Sequence, residues 1–158
     1  MGDMGQVGDV VVETIAKIRR AYFAQISRVD VWSTDKMPID NSDAAAELQR
    51  KGFVVRHNYV GSGQGSVCRV VEFAPGAPKF MHRTETLDYA ICLKGECDLE
   101  LDDGRTVPMK AGDICVQRGT MHAWVAKGLE PAVFAFVLID AEPVEKGGKK
   151  LTTHYPTR

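Results

Sequence analysis

The chain has 158 residues, the size of one domain, and at that length roughly two-thirds of the unfolded surface is buried without help from disulfides or metal. Lys plus Arg (20) nearly balance Asp plus Glu (21), with 44% hydrophobic and 26% charged residues, which excludes a basic nucleic-acid binder and describes an ordinary soluble protein. No apolar run reaches the roughly 18 residues of a membrane span, and the N-terminus lacks the basic stretch and apolar core of a signal peptide. The expected setting is cytoplasmic, with a small molecule as partner and neither nucleic acid nor membrane.

Residues 1–7 are Gly-rich and are expected to fray. From Asp9, a candidate N-cap, Val12, Ile15, Ile18 and Tyr22 recur at helical spacing, although Val10 to Val12 favour strand. A short strand is expected around Val29 to Ser33, then a loop from Lys36 to Asn41 containing Pro38. Ser42 or Asp43 caps a short helix, AAAELQRK, that stops at Gly52. Beyond Gly52 the texture changes to β. FVVRHNYV reads as a strand and GSGQGS (61–66) as a flexible connection, after which SVCRVVEF, KFMHRT, LDYAICL, ECDLELD, RTVPM, DICVQR, MHAWVA and AVFAFVLI alternate with turn signals. Asp103-Gly104 between two alternating runs is a strong hairpin signal. About eight short strands at this spacing, with no repeat and no βαβ alternation, predict an antiparallel sandwich or barrel. The C-terminal EPVEKGGKKLTTHYPTR is polar, a tail or a subunit-clasping arm.

The four cysteines, Cys68, Cys92, Cys97 and Cys115, form no Cys-x-x-Cys pair, and three sit in apolar strand stretches. They read as reduced, structural thiols in a reducing compartment.

The stretch from Gly76 to Ala126 resembles the two motifs of the cupin superfamily. In the first, Gly76, five residues, His82-Arg83-Thr84, three residues, Asp88, six residues and Gly95 fit the family frame Gly, His-x-His, Glu, Gly without a gap. In the second, Gly112-Asp113 opens the motif, Gly119 stands for its later glycine, and His122 follows. The resemblance implies an all-β fold, a double-stranded β-helix or jelly-roll barrel, usually dimeric. The corresponding division is an extension over 1–52, helical or extended and packing on or swapping with the barrel, a barrel over 53–141, and a polar tail over 142–158. Members of the family typically bind one divalent metal through three His and one Glu. Here Thr84 replaces one His, Asp88 replaces the Glu, Arg118-Gly119 stand where a Pro is usual, and Ala126 replaces an Asn.

The implied metal set is therefore His82, Asp88 and His122, two imidazoles and a carboxylate suited to iron, manganese, nickel or zinc. Thr84 is a poor ligand whose hydroxyl can orient a water or a ligand oxygen. The residues also support a metal-free polar pocket, in which a His82–Asp88 contact favours an imidazolium acid and His122 serves as base. Tyr89 and Trp124 flank the site as an aromatic wall, and Arg118 at the turn before His122 is placed to grip a carboxylate or phenolate. Arg83 is expected on the opposite face to His82, and Glu85 is a reserve carboxylate. Two functions fit: an enzyme of dioxygenase, decarboxylase, isomerase or lyase type acting on a small organic or aromatic acid, and a non-catalytic small-ligand-binding cupin.

Overall fold

In the computed structural model, which describes residues 21–23, 25–45 and 65–156, period-two alternation governs the architecture. Along β3 (Ser66–Phe73), Val67, Arg69, Val71 and Phe73 are buried while their neighbours are half-exposed. Along β4 (Thr86–Lys94), Thr86, Asp88, Ala90 and Cys92 are buried in the same way. Each strand thus turns one row inward. The other strands are β1 (Ala21–Phe23), β2 (Ile26–Thr34), β5 (Glu96–Leu101), β6 (Thr106–Lys110), β7 (Ile114–Arg118), β8 (His122–Ala126), β9 (Ala132–Asp140), β10 (Val144–Lys146) and β11 (Lys149–Leu151). All named pairings are antiparallel, in a six-stranded sheet ordered β1-β2-β3-β9-β4-β7, a three-stranded sheet ordered β6-β5-β8 and a β10-β11 hairpin. The all-β double-stranded β-helix expected from the sequence is the fold observed, with an aromatic core of Phe73, Trp124, Phe134 and Phe136.

Two local readings differ. The helical pattern from Asp9 runs through Tyr22, yet Ala21–Phe23 is strand β1, hairpinned onto β2 through Gln25 at φ 67°. Pairing overrides helical spacing there, helped by the aromatic, strand-prone Tyr-Phe step; residues 9–20 lie outside the described residues. KFMHRT is not a regular strand. Its two edges go to different partners, His82 to His122 and Arg83 to His154, as isolated bridges. The strand expected at 29–33 is present and longer. Ser42 Oγ accepts the Ala45 N–H at 3.3 Å, so Ser42 is the cap. The helix beyond Ala45 and the strand FVVRHNYV lie outside the described residues.

The Asp103-Gly104 hairpin joins β5 to β6, with Gly104 at φ 83°. Gly95, between β4 and β5, has φ 76°, and a Cβ there would stand 2.5 Å from the Pro131 carbonyl oxygen. Gly95→Ala should therefore cost about 2–3 kcal/mol, measured as a lower urea midpoint; an unchanged midpoint would mean that the turn relaxes freely.

Within the polar segment from 142, β10 and β11 form a hairpin closed by Gly147 and Gly148 at φ 59° and 74°. Two residues of positive φ are what a tight hairpin of this twist requires. The chain then returns to the barrel. Arg83 and His154 exchange backbone hydrogen bonds of 2.9 and 3.0 Å.

Candidate functional site

The inward faces enclose a cavity of about 110 Å³, on the scale of one small ring compound. His82 and His122 exchange both backbone hydrogen bonds at 2.9 Å, so their side chains leave the ladder on one face. Their ring centroids are 4.4 Å apart. Each Nδ1 lies against a backbone carbonyl, Phe80 O at 3.0 Å for His82 and Thr120 O at 2.9 Å for His122. A carbonyl only accepts, so both Nδ1 atoms carry the proton and both Nε2 atoms present a lone pair. Burial, reinforced by His82, pushes the His122 imidazole down to about 3, against the opposing bond to Thr120. His82 is lowered by burial against its backbone bonds. Both rings are thus neutral at pH 7. In place of the expected His82–Asp88 contact and imidazolium, the Phe80 carbonyl fixes the Nδ1–H tautomer of His82 and burial keeps the ring neutral.

Asp88 lines the same cavity from β4, in register with Gln117 of β7. Gln117 donates its amide to Asp88 Oδ2 at 3.1 Å, while its oxygen accepts from the Thr120 N–H and hydroxyl at 2.9 and 2.7 Å. Asp88 Oδ1 has no hydrogen-bond partner among the described residues. Burial raises the carboxyl to about 6, opposed by the Thr86 hydroxyl and the Arg69 charge. Among the described residues, no three His, Cys, Asp or Glu side chains stand close enough together to hold one ion. The two imidazoles converge; Asp88 faces the cavity without joining them.

Thr84 lines the cavity and shares a 2.7 Å hydrogen bond with the Thr86 hydroxyl. Trp124 also lines it, edge-to-face with His122 at 6.0 Å and 83°. Tyr89 and Arg118 do not. Asp88 and Gln117 take the inward positions, so the pleat turns their neighbours out: Tyr89 is 41% exposed and Arg118 is exposed too. The loop before His122 is held instead by Arg83, whose Nε donates to Gly119 O at 3.0 Å. Glu85 is occupied as well, accepting the Thr153 N–H and hydroxyl at 2.9 and 2.8 Å. All four cysteines are free, and burial raises the Cys92 and Cys97 thiols, the latter to about 12. Buried and protonated, they suit packing.

Three polar lining residues lie outside the set expected from the sequence. Arg28 and Arg69 line the cavity from β2 and β3, and Tyr155 reaches it from beyond β11, its ring stacked 6.0 Å from that of His82. The Arg69 signal was available, since in SVCRVVEF it shares parity with Val67, Val71 and Phe73. Tyr155 has no local signal. It depends on the Glu85–Thr153 clasp and the Arg83–His154 bridge. Glu85→Ala should therefore speed amide exchange at Arg83 and His154 while lowering global stability by only about 1–2 kcal/mol; unchanged exchange would show that the clasp does not hold the segment.

A family model described as "Cupin domain" matches residues 69–139. The chain is 37% identical over 123 residues to oryzines biosynthesis cluster protein J of Aspergillus oryzae, covering 76% of this chain and 68% of that protein. It belongs to the cupin family. This cupin is also 36% identical over 121 residues to phomopsin biosynthesis cluster protein C′ of Diaporthe leptostromiformis, covering 76% of this chain and 64% of that one. To the cupin-domain-containing oxidoreductase fogC of Aspergillus ruber it is 34% identical over 134 residues, 80% of this chain and 63% of that protein. The cupin thus matches less than two thirds of the length of these last two relatives. Among solved structures, a double-stranded β-helix domain protein from Klebsiella pneumoniae superposes with TM-score 0.58 at 17% identity, covering 95% of this chain and all of the other, a shared fold.

Proposed function

We propose that this cupin is an enzyme of small-molecule metabolism, of the oxidoreductase type named for its relative fogC, acting on a small organic or aromatic acid in the barrel cavity. The observation that carries the reading is the pair of neutral imidazoles, each with Nδ1 fixed by a carbonyl and Nε2 presented to a ligand. Carbonyl-anchored imidazoles are how proteins orient histidine toward a metal. His82 and His122 would hold one divalent ion, iron, manganese, nickel or zinc, with Asp88 the nearby carboxylate that the resemblance places third. Such an ion, when bound, supplies Lewis acidity or activation of O2. The chain's own residues do the rest. Trp124 and Phe136 wall the cavity against water, the Thr84 hydroxyl is placed to orient a ligand oxygen, and Asp88 holds or releases a proton near neutral pH. The unit is proposed to be a homodimer, as the resemblance implies, and to work in the cytoplasm, the compartment that its four free cysteines suit.

A second reading, a metal-free barrel that binds its ligand without turnover, is favoured by the absence of a three-donor cluster among the described residues. Metal content by plasma mass spectrometry separates the two, on protein purified without chelator and compared with His82→Ala and His122→Ala. Near-stoichiometric metal, lost in both variants, is expected. No metal in the parent protein after soaking with Fe(II), Mn(II), Ni(II) or Zn(II) would retire the first reading in favour of the second.

A further inference from the structure

The wall of the cavity formed by β2 and β3 carries a feature that the histidine site does not use. On β2, Ile26, Arg28 and Asp30 follow the alternation, facing Phe73, Val71 and Arg69 of β3 in register. Asp30 Oδ1 lies 3.0 Å from Arg69 Nε and 3.5 Å from Arg28 Nε. One carboxylate therefore sets two guanidiniums side by side, and both line the cavity. Arg69 is only 7% exposed. Guanidinium stays charged at any such depth, and its planar fork matches a carboxylate better than any other common anion of small metabolites except phosphate. The charge reaches the cavity: Arg69 acts on Asp88, on β4, opposing the upward pull of burial on that carboxyl. The remaining surface is largely aromatic, with Phe80, Trp124 and Phe136 around the space.

We infer that Arg28 and Arg69, aligned by Asp30, form a carboxylate-binding subsite for a planar, single-ring or unsaturated monocarboxylic acid. The two arginines belong to the six-stranded sheet, whereas His122 belongs to the facing three-stranded one. A carboxylate seated on the arginine wall directs the rest of the molecule across the cavity to His82 and His122. Cavity size and aromatic walls limit that remainder to something flat and small. The inference rests on the reading of the cavity as a small-acid site and adds which wall holds the acid group.

Calorimetric titration with benzoate and with benzamide, its uncharged counterpart of equal size, tests the subsite. Chelator is present throughout, so that no metal binds the carboxylate. The comparison is between the parent protein, Arg28→Gln, Arg28→Lys and His82→Ala. Arg28 is the position to change because its side chain is 23% exposed, and urea unfolding of each variant confirms that it folds. Benzoate is expected to bind the parent protein at least about tenfold more tightly than benzamide. Arg28→Gln should lose about tenfold or more of the benzoate affinity and leave benzamide unchanged, with partial recovery in Arg28→Lys. Equal affinities for the two probes, unaltered benzoate affinity in Arg28→Gln, or no benzoate binding up to about 10 mM would each overturn the inference. Benzoate selectivity retained in His82→Ala supports the subsite whatever the histidines hold; where the parent protein also takes up no metal on soaking, the metal reading alone is refuted.

Discussion

Asp88→Asn is expected to stabilise the metal-free protein by about 3 kcal/mol at pH 7. The carboxyl is 6% exposed, and burial raises it from 3.8 to about 6. Between those values the native state holds a proton that the unfolded chain has released. Stability is therefore lost as pH rises through this window, and the whole cost is present at neutral pH. Asparagine resembles the protonated acid and carries no charge to bury, so the gain vanishes below about pH 4. His122 runs the other way. Its imidazole falls from 6.5 to about 3 on folding, so the unfolded chain takes up a proton that the native state refuses, and stability is lost as pH falls through that range. His82, lowered by the same cause, adds to that side. Across pH 4–6 the Asp88 and His122 slopes oppose each other in the parent protein. In Asp88→Asn the histidine slope stands uncovered, at about 1.4 kcal/mol per pH unit or more. Urea unfolding of both proteins from pH 4 to 7 measures this. A variant less stable than the parent at pH 7 would show that the ionised Asp88 has a favourable partner in the folded protein. A carboxylate kept in place at such a cost is what a site does with a proton acceptor that it needs.

The parts of the molecule legible in the sequence are those set by local rules. β3 and β4 bury every second residue, so parity along them gives the inward row, and Asp103-Gly104 marks its hairpin without ambiguity. His82 and His122 were placed by their motif frame, yet their contact comes from an isolated bridge between segments 40 residues apart in number, which no local pattern encodes. Tyr89 and Arg118 are close to the motif in sequence, but each is adjacent to an inward residue and so turned outward. Arg28 and Arg69 occupy inward positions where charge is unexpected; both pair with Asp30 and border the cavity. Tyr155 could not be assigned from its surroundings. The Gly147-Gly148 pair signals a hairpin, but the return to Arg83 that carries Tyr155 to His82 is a tertiary event.

Phe134→Ala should have the largest effect on stability of any single core truncation near the site, about 3–5 kcal/mol. Phe134 is 0% exposed, and its ring centroid lies 5.0 Å from Trp124, 5.6 Å from Phe136 and 6.1 Å from Phe73. Neighbours held on several sides cannot collapse into the space, so the loss includes a cavity as well as the buried area. The consequence for function follows from what Phe134 supports. Trp124 rests on it and in turn meets His122 edge-to-face at 6.0 Å. With Phe134 gone, Trp124 loses its backing, water reaches the His122 ring, and the desolvation that holds this imidazole near 3 is relieved. The His122 titration, followed by NMR at the ring carbon protons, should move up toward 6.5 in Phe134→Ala and much less in Phe134→Leu, which keeps most of the volume. A destabilised Phe134→Ala with an unmoved His122 would mean that Trp124 seals the cavity from its own strand, through its pairing with Leu99, rather than by resting on the core.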